Sequence, residues 1–219
     1  MAKTAIKGAT HLFIGKIVSR VVGVLGGLIL IRLLMPEDYG LISIAMVVPG
    51  LLGLFGSLFG ISTAIIKHLA EYKSKGDVGT IKIFAYISFV FSVGISVVLT
   101  IVCYLLANNF SSAVLGKPYI DHLVRVASFS ILTSALYFYS ESVLIGPDET
   151  RFYAMLMILY EFLLKVLPIA LVICGFEVWG ALFGMVLAGF ITGLAGSVVS
   201  ISLVARLGKE KPSLDSKAA

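Results

Sequence analysis

The chain has 219 residues, of which 59% are hydrophobic and 13% charged, with a formal net charge of +5. An ordinary soluble domain carries about 45–50% apolar and about 25% charged residues, so this composition excludes a water-soluble fold and places the chain in a bilayer. The positive balance requires no nucleic acid, because cytoplasmic loops of membrane proteins are enriched in Lys and Arg.

Six apolar stretches reach the roughly 20 residues that a spanning helix needs: 12–34, 41–66, 83–107, 123–145, 152–174 and 178–205. They predict an all-α, polytopic membrane protein. Runs of this length do not suit a β-barrel, whose strands alternate over about 10 residues.

The first stretch carries its own positive charge. Arg20 and Arg32 lie about 18 Å apart along a helix, against a hydrocarbon core roughly 30 Å thick. One of them therefore sits at membrane depth unless both side chains snorkel in opposite directions. Lys16 precedes Arg20 by one turn, so the two form a cationic stripe on one helical face. Intramembrane charge is a functional hypothesis by default, and this stripe suggests a transporter of something anionic. Lys3, Lys7, Lys16 and Arg20 before the apolar run from Val21 to Ile31 mimic a signal peptide, but Leu33-Leu34-Met35-Pro36-Glu37 offers no small-residue cleavage site.

Pro36 opens the second stretch, where its missing N–H is tolerated, and Glu37 and Asp38 follow at the positive end of the helix dipole. Pro49, followed by Gly50, lies near the middle of this stretch, and Pro168 lies in the fifth. Each proline removes a backbone hydrogen bond, either as a hinge that bends during transport or as a static kink that aids packing. Gly50, Gly53, Gly56 and Gly60 share one face, and the sixth stretch carries Gly180-x-x-x-Gly184 and Gly189-x-x-x-Gly193. Small residues at such spacing let helix backbones approach closely in lipid.

The connection 67–82 is the longest internal one, so no soluble catalytic domain fits between the spans. Residues 146–151 and 175–177 are tight turns, making the stretches they join antiparallel neighbours. With the N-terminus inside, 11 Lys and Arg fall on the cytoplasmic side against 3 opposite, which predicts both termini in the cytoplasm of a multi-pass cell-membrane protein. Anionic lipid headgroups are the expected neighbours of Lys73, Lys75 and the tail. Residues 209–219 form that tail, with the composition of a disordered segment.

Catalytic chemistry finds little support. His11, His68 and His122 lie far apart near span ends, and Cys103 and Cys174 are isolated in apolar runs. No catalytic triad, phosphate loop or metal cluster can be assembled, so neither enzyme activity nor a cofactor or metal is expected. The charges within spans are the better candidates. Glu161 and Lys165 form an i, i+4 pair of opposite sign in the favourable order, and Glu141 lies toward the cytoplasmic end of the fourth stretch. One reading has Glu161 and Lys165 neutralise each other while Lys16 and Arg20 reach the interface. The other has these charges line a hydrated cavity, with Lys16 and Arg20 attracting a phosphate or pyrophosphate. Glu141 or Glu161 then serves as counter-charge or proton carrier, and Lys165 also belongs to the binding set.

The block Ile31-Arg32-Leu33-Leu34-Met35-Pro36-Glu37-Asp38-Tyr39-Gly40 resembles the connection between the first two helices of polysaccharide flippases, of the multidrug/oligosaccharidyl-lipid/polysaccharide exporter superfamily. Gly15-Lys16-Ile17-Val18-Ser19-Arg20 is similar to their first helix. Leu144-Ile145-Gly146 with Arg151-Phe152-Tyr153-Ala154, and Gly175-Phe176-Glu177-Val178-Trp179-Gly180-Ala181, extend the likeness over almost the whole chain. The resemblance implies flipping of lipid-linked glycan precursors, with a polyprenyl-phosphate-linked glycan as substrate. It also implies that Lys16 and Arg20 match cationic residues that face a central cavity in related peptidoglycan-precursor flippases. Met35 stands where the family usually has glycine. Family members have 12 to 14 helices in two lobes, and this chain supplies one. The second would come from a homodimer or a separately encoded lobe. A small-solute or multidrug exporter half, and a non-transporting scaffold for glycan assembly, are the alternatives.

Overall fold

The computed structural model describes residues 2–58, 60–114, 116 and 118–207, and these are helical almost throughout, with no strand among them. The elements in order are α1 (Ala2–Leu33), α2 (Pro36–Leu58), α3 (Ile61–Lys75), α4 (Val78–Leu105), a one-turn α5 (Ala107–Asn109), α6 (Asp121–Ile145), α7 (Thr150–Leu171) and α8 (Glu177–Leu207). Among the described residues four stretches are long and apolar enough to cross a membrane: Leu12–Leu33, Val78–Leu105, Asp121–Ile145 and Thr150–Arg206. The last is not one rod. Gly175 (φ 90°) and Glu177 (φ 45°) break it into α7 and α8, and Gly180 lies against Leu171 and Phe176 across the turn.

The stretch expected over 41–66 differs most from the sequence reading. Gly60 adopts the left-handed conformation (φ 65°) that only glycine enters without strain, and it separates α2 from α3. Hydropathy does not register this break, because the residues on both sides remain apolar. All of the expected connection 67–82 except Gly76 and Asp77 is helix, 67–75 in α3 and 78–82 in α4. α3 is amphipathic, with Ile65 and Leu69 buried and Lys73 and Lys75 exposed in its last turn. Leu69 packs on Gly146, and Lys73 Nζ donates to the Pro147 carbonyl, so α3 is fastened to the α6–α7 turn. The expected tail 209–219 lies outside the described residues.

α3 ends at Gly76 (φ 70°), and Asp77 then caps α4, its carboxylate accepting from the Thr80 amide at 3.0 Å and the Thr80 hydroxyl at 2.6 Å. The Thr80 hydroxyl first, and its amide second, hold the Asp77 carboxyl below the usual carboxylate range. A lowered folded-state value means that the cap stabilises above the unfolded value and is lost as pH falls through the folded one. Asp77→Ala should therefore speed amide exchange in the first turn of α4 at neutral pH, relative to the parent chain. That difference should vanish in acid.

Helix directions follow from where small residues meet their neighbours. Gly15 lies against Ala154 and Met157, Gly23 against Glu161, and Gly26 against Lys165, so α1 runs parallel to α7. Gly189 meets Thr133, Gly193 meets Leu136, and Gly196 meets Ser140, so α8 runs parallel to α6. α4 is antiparallel to α6: the Tyr139 hydroxyl donates to the Ala85 carbonyl at 3.1 Å near one end, and Tyr104 meets Phe129 near the other. Both glycine motifs of α8 mediate close approach, on different partners. Gly50 and Gly53 do not, because a Cβ there would meet nothing within 4 Å. The surroundings of Gly56 lie outside the described residues.

The largest core cluster joins Leu30, Ile42, Ala45, Val48, Cys103, Leu123, Ala127, Ile131 and Leu182. Hydroxyls buried between α6 and α8 are satisfied mostly by their own helices. Ser140 donates to the Leu136 carbonyl at 2.8 Å, Thr192 to Ala188 at 2.7 Å and Ser197 to Gly193 at 2.8 Å. Internal pairing of this kind is what a hydrocarbon surrounding demands.

Candidate functional site

α1 is seated chiefly on α7 and leaves most of its circumference uncovered. Gly15, Ser19, Gly26 and Leu30 form the buried stripe, and the Ser19 hydroxyl returns to the Gly15 carbonyl at 2.8 Å. Lys16 and Arg20 each follow a stripe residue by one position, about 100° around the helix, and both are exposed. Neither has an ion-pair or hydrogen-bond partner among the described residues. Val24 continues the same line one turn further and is 62% exposed.

Glu161 and Lys165 point toward α1 and are half-buried. A Cβ on Gly23 would come within 3.1 Å of Glu161 Oε2, and one on Gly26 within 2.5 Å of the Lys165 stem. The glycines of α1 thus make room for the intramembrane charges of α7. The i, i+4 spacing places Glu161 and Lys165 on one face, yet no ion pair within 4.0 Å joins them. Self-neutralisation by direct contact is therefore not the arrangement the structure holds.

Glu141 lies on α6, half-buried, and accepts a hydrogen bond from the Tyr153 hydroxyl of α7 at 2.5 Å. Tyr137, one turn earlier on α6, stacks on Tyr160 of α7 with centroids 4.4 Å apart. Glu141, Tyr153, Tyr137 and Tyr160 thus line the α6–α7 contact, and Glu161, next to Tyr160 in the chain, faces Gly23 of α1. Sequence reasoning found the carboxylates and missed Tyr137, Tyr153 and Tyr160. The signal was available: counted from the turn near Asp148, residues 137 and 160, like 141 and 153, lie at similar distances and face each other across an antiparallel pair. Pro49 and Pro168 are both fully buried, and Gly184 packs directly on the Pro168 backbone, whereas Gly50 is exposed.

Solved structures share this arrangement of helices, with its two parallel pairs. An outward-facing multidrug resistance MATE family transporter of the MOP superfamily matches with a TM-score of 0.74 and 11% identity, over 88% of this chain and 45% of that one. A MATE protein in complex with MaL6 matches at 0.75 and 11%, over 94% and 48%. A MATE protein in complex with MaD3S matches at 0.74 and 21%, over 95% and 49%. The chain spans about half the length of each of these structures. No curated protein matches it. Residues 29–212 match the family described as polysaccharide biosynthesis protein, and the chain belongs to that family.

Proposed function

We propose that this chain is one lobe of an exporter that moves a lipid-linked, anionic glycan precursor across the cytoplasmic membrane by alternating access. In this reading it crosses the membrane six times with both termini in the cytoplasm and acts without enzymatic chemistry. Lys16 and Arg20 bind the phosphate or pyrophosphate of a polyprenyl-phosphate-linked glycan, and the opposing wall comes from a second copy or a separately encoded lobe. The observation that carries it is the cationic pair itself: two charges within an apolar helix, without a partner among the described residues and on a flank that those residues do not cover. Intramembrane cations normally face a protein interior or a hydrated cavity, so this flank implies a wall from elsewhere. The parallel pairs support the six-span count, since first and fifth spans must run one way and fourth and sixth the other. Membership of the polysaccharide biosynthesis family supports the substrate class. Glu141 and Glu161 serve as counter-charge or proton carriers beside Lys165, and Pro49, Gly50 and Pro168 are the places where α2 and α7 would bend.

A second reading, a half-exporter of small solutes, draws support from the multidrug transporter among the matched structures and from the carboxylate–tyrosine cluster, which suits proton coupling. Glycan export in cells carrying Lys16→Gln with Arg20→Gln separates the two. Unchanged surface glycan there, with glycan lost on deletion of the whole protein, would instead indicate a scaffold for glycan assembly.

The second lobe has its own test. With Cys174 replaced by Ser, a thiol cross-linker applied in native membranes to Val24→Cys should capture another copy or another multi-pass protein. A strictly monomeric outcome at this exposed position overturns the two-lobe assembly.

A further inference from the structure

Away from the cationic flank of α1, an open groove of about 610 Å³ runs between α6 and α8. Its wall is apolar, formed by Phe129, Phe183, Leu187 and Phe190 among others. Its mouth is different. Trp179 stacks on His122 at 5.0 Å, and the Arg125 guanidinium lies over the Tyr104 ring at 5.7 Å. These four residues also line the groove, and all come from helix ends that meet on one side of the lobe. Trp and Tyr with an Arg at such a level mark a membrane–water boundary.

Two observations go beyond an ordinary lipid-facing surface. From Trp179 to Phe190 the groove follows α8 for about 16 Å, close to half of a hydrocarbon core roughly 30 Å thick. Its length is therefore that of one leaflet. Its single cation, Arg125, is also incompletely satisfied. One terminal nitrogen reaches Asp121 at 3.3 Å, and the side chain is 42% exposed, so the guanidinium stays open to a further acceptor. A phosphate oxygen is the acceptor that a headgroup at this depth supplies.

We propose that the groove holds one phospholipid, its phosphodiester on Arg125 and one acyl chain along α8. The inference rests on the membrane-crossing reading alone and not on the transported substrate. Native mass spectrometry of the full chain in mild detergent, titrated with phosphatidylglycerol, provides the test. The parent chain should retain one lipid, Arg125→Gln should weaken that first adduct about fivefold, and Arg125→Lys should keep most of it. A Leu187→Trp variant, which fills the groove and leaves Arg125 in place, should lose the adduct as well. Equal retention by the parent, Arg125→Gln and Leu187→Trp would overturn the proposal. Preferential binding of a polyprenyl phosphate, or a dimer that forms with no lipid retained, would do the same by assigning the groove to another occupant. The readout is lipid retention, so its failure leaves the transport reading standing. Loss of export in the Lys16 and Arg20 variants likewise does not bear on the groove.

Discussion

Replacing Lys16 and Arg20 together by glutamine is expected to lower surface glycan by tenfold or more while leaving the protein in the membrane at its normal level. The structural reason is that neither side chain contributes to the packing of the lobe. Both are exposed, without a partner among the described residues, and beside rather than within the stripe that seats α1 on α7. Removing them sacrifices no internal hydrogen bond and even relieves a like-charge i, i+4 repulsion. On the proposed reading, what is lost is the attraction for an anion. A charge-assisted hydrogen bond contributes about 1.5–3 kcal/mol, so two of them amply cover a tenfold change. Lys16→Arg with Arg20→Lys keeps both charges and should retain most export, which separates a charge requirement from a shape requirement. Normal export by the double glutamine variant would sink the cationic site.

Gly184→Val is expected to disrupt the lobe, whereas Gly53→Ala should be harmless to its folding. A Cβ at position 184 would lie 2.5 Å from the Pro168 nitrogen and 2.6 Å from its Cα. Those are backbone atoms that cannot swing aside, so α7 and α8 must part. Overpacking of this kind costs about 1–3 kcal/mol and occasionally more. Here it strikes a helix pair joined by a tight turn, and thermal unfolding in detergent should show a clear loss for Gly184→Val. At position 53 nothing lies within 4 Å of an added Cβ, and alanine is the better helix former by about 1 kcal/mol. If Gly53→Ala destabilised the lobe as strongly as Gly184→Val, the contact geometry argued for α8 would be wrong.

Those two glycines also show what the sequence could and could not reveal. Regular spacing placed Gly50 and Gly53 on one face and Gly180 and Gly184 on another, yet spacing says only that residues share a face, not what that face meets. The apolar stretches were legible because hydrophobic length is a local property: α6, α7 and α8 begin and end within a few residues of the stretches read from the sequence, whereas α4 starts five residues earlier than expected and α1 ten. The end of α2 was not, because the break at Gly60 is a backbone choice that hydropathy does not sense. Within the candidate site, Lys16, Arg20, Glu141, Glu161 and Lys165 stood out by charge alone. Their relationships did not. The accommodation of Glu161 and Lys165 by Gly23 and Gly26 is a contact between the first and seventh helices, far apart in sequence. The tyrosine partners of Glu141 were closer to hand, since a tight turn and a count of residues would have paired them.

The seat of α1 on α7 has a consequence for how the lobe is made. Translation delivers α1 before α7, and the chain from Leu33 to Thr150 must follow before its principal support exists. Until then α1 waits in the lipid as a lone helix carrying Lys16 and Arg20, with Gly15, Gly23 and Gly26 facing no partner. Closing so distant a contact is slow compared with joining the neighbouring hairpin of α7 and α8. A nascent chain halted before Thr150 should therefore hold α1 loosely and leave it open to quality-control proteases, and release of α7 should dock it. The order of synthesis makes the most exposed helix of the finished lobe also the last to find its place.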